Sequence, residues 1–381
     1  MGRFGSILFY LFLAAVTCML AWQVRQPSAE DVLWTGGQRT RKSFRNRLFI
    51  TGIFVVLFLA AALRFDIGND YRQYTQTAHE AYVGGYVVTE AGFNGLVRLL
   101  YWMTGGEYYE LVFAVFAFGT LYFFLKAFVR QSVDFSQTFF LFMTFGLYFQ
   151  TYNTVRYYLA LAIALYATKY VLEKDYIRFV FWIFAAALFH KSVLLVIPVY
   201  WICTFAWKGW HIIAGLLASA ACYLGKGVIL RLALVVYPSY RNTVYLEGNG
   251  ISASTLRILA VLCLYLWFVT YTGAGIREKA WYRELRFYGQ LNLLAFVAST
   301  AFSFLPVVTR IAYYFGVSQL FLIPLVIKNI EDSRIRKRVT GIVFGVCIVY
   351  FLVFLFHAHQ DGVGLLPYKS WLFESQRYTY K

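Results

Sequence analysis

Val339-Thr-Gly-Ile-Val-Phe-Gly-Val-Cys-Ile-Val-Tyr-Phe-Leu-Val-Phe-Leu-Phe356 carries no charge and is apolar on every side of a helix. A helix needs about 20 such residues to cross a bilayer. Just before it stand Lys328, Arg334, Arg336, Lys337 and Arg338. An apolar run behind a basic loop reads as a transmembrane helix whose basic end faces the cytoplasm. Similar runs recur at 3–22, 48–63, 109–126, 136–150, 154–172, 177–190, 192–207, 210–224, 255–272, 287–304 and 310–327. The first has no convincing signal cleavage site and is kept as a helix. The pattern predicts an all-α polytopic membrane protein of about 12 transmembrane helices, one integral membrane domain over 1–381.

Composition agrees. Hydrophobic residues make up 60% and charged residues 14% of 381 positions, against about 25% charge in soluble domains. That excludes a soluble enzyme and a disordered chain. The net charge of +17 would suggest nucleic acid in a soluble protein, but here much of it sets topology; no nucleic-acid partner is expected. The linker 23–47 and the loops 273–286 and 328–338 hold most of the basic clusters. Helix-by-helix alternation puts them on one side, the cytoplasm, and both chain ends outside. The five cysteines all lie in apolar runs without ligand spacing, so neither disulfides nor a metal is expected. Gly341 and Gly345 form a GxxxG pair suited to helix packing.

Three segments on the outer side exceed simple turns: 64–108, 225–254 and the tail 357–381. Within the first, 90–103 is apolar but too short to span, and reads as a re-entrant or interfacial helix. The second holds Tyr237, Tyr240, Arg241 and Tyr245, an aromatic and basic set suited to the membrane surface.

The unusual polar residues gather at outer helix ends. Arg64-Phe-Asp-Ile-Gly68-Asn-Asp70-Tyr-Arg-Gln-Tyr74 follows the second run. Its residues read either as a structural ion pair with a snorkelling arginine or as a site in which Gly68 turns Asp70 back over the membrane. Glu90 opens the short helix, where a carboxylate suits the helix dipole or faces a cavity. Asn153 and Arg156 are three apart and share a helix face. His190 and Lys191 interrupt two apolar runs, and Arg310 opens another, followed by Tyr313 and Tyr314. Arginine suits phosphate because its planar fork donates two parallel hydrogen bonds. If Arg64, Arg156, Arg310 and the His190-Lys191 pair converge, a lipid-linked diphosphate is the most economical polyanion at that surface.

These segments together resemble the EpsG family of bacterial exopolysaccharide polymerases, a Wzy-like group. The stretch Leu63 to Tyr74 is similar to its Arg…Gly-x-Asp…Tyr signature. Glu90-Ala-Gly92-Phe93 resembles its acidic-x-Gly-Phe motif, and Asn153-Thr-Val-Arg156 its Asn-x-x-Arg-Gln motif, with Tyr157 in place of the usual Gln. Phe189-His190-Lys191-Ser192, Arg310-Ile-Ala-Tyr313-Tyr314 and Leu366-Pro367-Tyr368 resemble its later motifs. The resemblance implies a GT-C-like glycosyltransferase in the bacterial cytoplasmic (inner) membrane, its active site facing outward. Donor and acceptor would be undecaprenyl-diphosphate-linked oligosaccharides, with membrane lipid, a chain-length regulator and a flippase as partners.

The expectation is an inverting polymerase without cofactor or metal. Asp70 is the preferred base and Glu90 its competitor, with His190 as a donor to phosphate. Arg64, Arg156, Arg310 and Lys191 bind the diphosphate, and Tyr74, Asn153, Tyr314 and Tyr368 line the substrate path. The alternative is a lipid-linked oligosaccharide flippase. An acyltransferase would need a nucleophile or His-Asp motif that the sequence does not display.

Overall fold

The computed structural model describes residues 2–25, 27, 41–229, 231, 252–303, 306–359 and 363–373. Tyr237, Tyr240, Arg241 and Tyr245 of the second outer segment lie outside them, as do Arg39 and tail residues 374–381. The described chain is helical. In order, the helices are α1 Arg3–Trp22, α2 Arg41–Ala62, α3 Tyr71–Val83, α4 Ala91–Thr104, α5 Tyr109–Gln131, α6 Phe135–Thr144, α7 Leu147–Gln150, α8 Val155–Leu172 and α9 Tyr176–Ala187. Then follow α10 Val196–Ile202, α11 Gly209–Leu224, α12 Ala253–Thr272, α13 Tyr282–Ala301, α14 Pro306–Gly316, α15 Gln319–Lys328 and α16 Ser333–His357.

Local chemistry sets several of these ends. Asp134 accepts from the Gln137 amide to start α6, and Ser252 accepts from the Thr255 amide to start α12. Asp332 accepts from the amides of Arg334 and Ile335 at the head of α16. Each cap satisfies amides that a helix leaves open at its start. Within a bilayer, helices are favoured because every other backbone polar group is satisfied inside the segment.

Among the described residues, six stretches are long and apolar enough to cross a membrane: Arg3–Trp22, Arg41–Ala62, Tyr109–Gln131, Ala253–Thr272, Arg310–Lys328 and Ser333–His357. Other apolar runs are realised as shorter pieces. The run 136–150 is cut at Gly146, whose φ of +72° ends α6 and begins α7. The run 192–207 begins as a 3-10 turn, Lys191–Leu195, before the seven residues of α10. α8 is enclosed by other parts of the protein: Ala160, Ala164 and Ala167 are fully buried. An uninterrupted apolar run marks burial, which neighbouring helices or lipid can each supply.

The chain divides into two compact units. The first comprises 1–169, 176–194 and 332–381. In it α1 packs on α2 and α6, α2 on α5, and α3 on α4, while α16 lies against α6. The short helix expected within 64–108 is α4, paired with α3. The second unit, 170–175 and 195–331, is built around α13, which packs on α11, α12 and α14. Its core holds a polar chain: Arg257 Nε donates to Gln319 Oε1 (3.1 Å), and Gln319 Nε2 to Asn292 Oδ1 (2.7 Å). Asn292 Nδ2 in turn donates to the Ile258 carbonyl.

Candidate functional site

The first unit brings most of the singled-out residues together by folding three distant segments onto one another. The tail is laid along the loop after α2. Phe65 N donates to the Lys369 carbonyl and Trp371 N to the Leu63 carbonyl, making an isolated antiparallel bridge at Arg64 and Ser370. Gly68 N donates to the Gly364 carbonyl. Side chains reinforce the seam: the Tyr368 hydroxyl donates to the Ala60 carbonyl, and the Tyr10 hydroxyl to the Leu365 carbonyl.

Arg64 lies beneath this seam, only 2% exposed. Its guanidinium sits between the rings of Phe113 (4.9 Å) and Tyr152 (5.0 Å) and donates to the carbonyls of Ala61 and Tyr152. Among the described residues no carboxylate pairs with it. Burial pushes its pKa below the usual guanidinium value. Rings and carbonyl dipoles carry the charge here, as cation–π contacts do most strongly when water is excluded.

The next residues fasten the loop to the turn before α8. Gly68 has φ +98°, and a Cβ there would come within 2.4 Å of the Tyr152 carbonyl oxygen. Only glycine accepts both that backbone and that approach. Asn153 Oδ1 then takes the Asn69 amide (3.0 Å), so Asn153 holds the loop instead of facing outward. Thr154 Oγ1 donates to Asp70 Oδ2 at 2.9 Å. Among the described residues no ion pair reaches Asp70, whereas Asp66 is taken by Arg72 through two bonds of 3.0 and 2.7 Å. Asp70 is thus a half-buried carboxylate with one neutral partner and capacity to accept more.

Two residues beyond Thr154, Arg156 meets Glu90. Arg156 Nη1 donates to Glu90 Oε2, and the pair is 17% and 12% exposed at its side chains. The guanidinium also lies 5.4 Å from the ring centres of both Tyr74 and Phe93, with Nε 3.4 Å from the Tyr74 hydroxyl. Glu90 Oε1 takes the Lys191 main-chain amide (3.2 Å) and stands 3.6 Å from His190 Nδ1. Gly92 makes this possible: its amide donates to the Leu188 carbonyl, and a Cβ there would lie 2.5 Å from that oxygen. The start of α4 is therefore clamped directly onto the 188–191 turn. Tyr74 is buried, which raises its phenol pKa, opposed by Arg156.

The other expected residues fall elsewhere. The Lys191 ammonium is on an exposed residue, and it is the backbone of Lys191 that joins the cluster. Arg310 belongs to the second unit and is exposed there. Tyr314 is fully buried in that unit, its carbonyl accepting from Tyr200. Tyr368 is 8% exposed and structural in its bonding; burial pushes its hydroxyl up to about 12. Thr154, Phe93 and Tyr157 stood inside the quoted motifs without an assigned role; the Tyr157 ring lies edge-on to His190 at 5.4 Å. The motifs made them visible, but a hydroxyl or ring acquires its role only from a partner far along the chain. Among the described residues no group of three or more His, Cys, Asp or Glu is arranged to hold a metal ion. The cluster can grip anions through Arg156, His190 and a main-chain amide, and can accept a proton at Asp70.

Neither a curated protein nor a solved structure matches the chain. The family model described as EpsG family matches residues 47–370, from within α2 to the bridge residue of the tail. That stretch contains every residue of the cluster, and the chain belongs to the EpsG family.

Proposed function

We propose that the protein polymerises lipid-linked saccharide repeat units at the outer face of the bacterial cytoplasmic membrane, within a GT-C-like arrangement of about 12 spans. The observation that carries this reading is the meeting of Glu90, His190 and the Lys191 amide with Arg156, two residues from Thr154, which holds Asp70, a carboxylate without an ion pair among the described residues, in a chain of apolar helices.

A growing glycan on undecaprenyl diphosphate is the donor, and a hydroxyl of the incoming lipid-linked repeat is the acceptor. The acceptor oxygen forms a bond to the anomeric carbon, the bond from that carbon to the diphosphate oxygen breaks, and the electron pair leaves with the diphosphate. The acceptor proton passes to Asp70. Arg156 stabilises the charge growing on the departing phosphate, where fixed donors in a partly water-excluded site act most strongly. Thr154 aims Asp70, and Arg64 holds the Tyr152 carbonyl and so the turn bearing both groups. Arg310 stays a candidate phosphate ligand on the second unit. One displacement at the anomeric carbon inverts its configuration.

Purified protein in lipid, given an undecaprenyl-diphosphate-linked repeat unit alone, should yield longer glycans and free undecaprenyl diphosphate. Unchanged substrate that moves across a vesicle membrane would instead establish a flippase.

A further inference from the structure

Glu90 occupies a site whose other parts do not depend on it. The Arg156 guanidinium is fixed by the rings of Tyr74 and Phe93 and by the Tyr74 hydroxyl. The Lys191 amide is fixed by its 3-10 turn and by the bond from Gly92 to Leu188. His190 is held against Tyr157. Each carboxylate oxygen meets a different part of this set: Oε2 the guanidinium, Oε1 the amide and the imidazole. Two oxygens on one centre, shared between a guanidinium and a main-chain amide, is also how a phosphate group binds. Glu90 itself ends an exposed extended segment, with Tyr86 at 90% and Val88 at 84% exposure.

From this geometry we propose that Glu90 is a resident anion, holding the place of the substrate's diphosphate. It neutralises Arg156 when no donor is bound, yields the guanidinium and the Lys191 amide to the arriving diphosphate, and competes for them again after transfer. The exchange makes binding reversible: a product whose full negative charge has just developed on the same donors is released by an internal competitor. It also separates the two acids, Asp70 taking the proton and Glu90 governing occupancy of the leaving-group site. This assignment rests on the polymerase reading for its ligand, a diphosphate ester.

The test uses the full chain in lipid nanodiscs, with inorganic pyrophosphate and undecaprenyl diphosphate as separate probes in calorimetry. Glu90→Gln should bind both about tenfold more tightly than wild type, the size expected when a partly exposed ionic competitor is removed. In glycan elongation it should lower KM and kcat together, because product leaves slowly. The gain should vanish in an Arg156→Gln background. A Glu90→Gln protein that folds and binds pyrophosphate no better than wild type overturns the proposal, as does a gain that survives without Arg156. A gain confined to pyrophosphate also overturns it, since the carrier headgroup would then not be the ligand. Wild type gives a second readout that needs no variant: with 13C-glutamate, pyrophosphate should shift a Glu carboxylate band in the infrared difference spectrum, and an unshifted spectrum counts against the exchange. If wild type elongates glycans while these measurements fail, the resident-anion idea alone falls. If no form binds pyrophosphate and none elongates glycans, the polymerase reading falls with it.

Discussion

Arg64 and Arg156 are both arginines at the edge of apolar helices, and the fold treats them in opposite ways. Arg64 is sealed, between two rings and two main-chain carbonyls, without an ionic partner among the described residues. Arg156 is partly open, stacked on two rings, and paired with a carboxylate. A guanidinium sealed in this way suits a brace, whereas on the proposal above the partly open one gives up its partner and acts as the binding group. The same residue type in neighbouring motifs thus divides into structure and chemistry, and the division is set by what covers it.

The comparison can be broken most sharply at the carboxylates and Arg156. Asp70→Asn should cut glycan elongation about 10²–10⁴-fold, the usual cost of losing a general base, with the melting temperature close to wild type. Arg156→Lys should reduce elongation about 10–10²-fold, because a point charge lacks the two-pronged fork, and should weaken pyrophosphate binding in calorimetry. Arg64→Lys should do the reverse. It should lower the melting temperature markedly while leaving pyrophosphate affinity per folded molecule unchanged. If Arg64→Lys melts normally and fails to bind pyrophosphate, the brace and the binding group have been assigned the wrong way round.

Smaller changes sharpen the same division. Gly68→Ala forces a side chain at positive φ against the Tyr152 carbonyl and should cost about 1–3 kcal/mol, read as a lower denaturant midpoint. Thr154→Val removes one hydrogen bond to Asp70, worth about 1 kcal/mol, and should slow elongation a few-fold. The smallest effect is alkaline. Burial pushes the Tyr368 hydroxyl from its ordinary 10 up to about 12, so its contribution is complete below pH 10 and is lost as pH rises toward 12. Tyr368→Phe should flatten the fall of melting temperature across that interval.

Much of this was legible in the residues themselves. The runs 3–22 and 154–172 coincide with α1 and α8 almost to the residue. Glu90, Arg156 and His190 were each marked as candidate site residues at the ends of apolar runs. Their partnership was not legible: Glu90 and Arg156 are 66 positions apart, and nothing local says which acid an arginine meets. The fate of Arg64 was hidden for a related reason. An arginine at a helix end reads as reaching for water, and only the tail folded over it removes the water. Composition also does not separate a helix buried by protein from one buried by lipid, so it does not fix which apolar runs face the bilayer.

The seam between the tail and the first loop has a bearing on biosynthesis. Tyr368 and Ala60 are separated by 308 positions, so during translation the loop that carries Arg64 and Asp70 emerges long before the strand-like segment that covers it. A nascent chain threaded into the membrane would have its acid and its brace in place but unsupported until residues 364–371 leave the ribosome. On the proposed function, competence would then wait for the segment that covers Arg64 and pins the loop bearing Asp70.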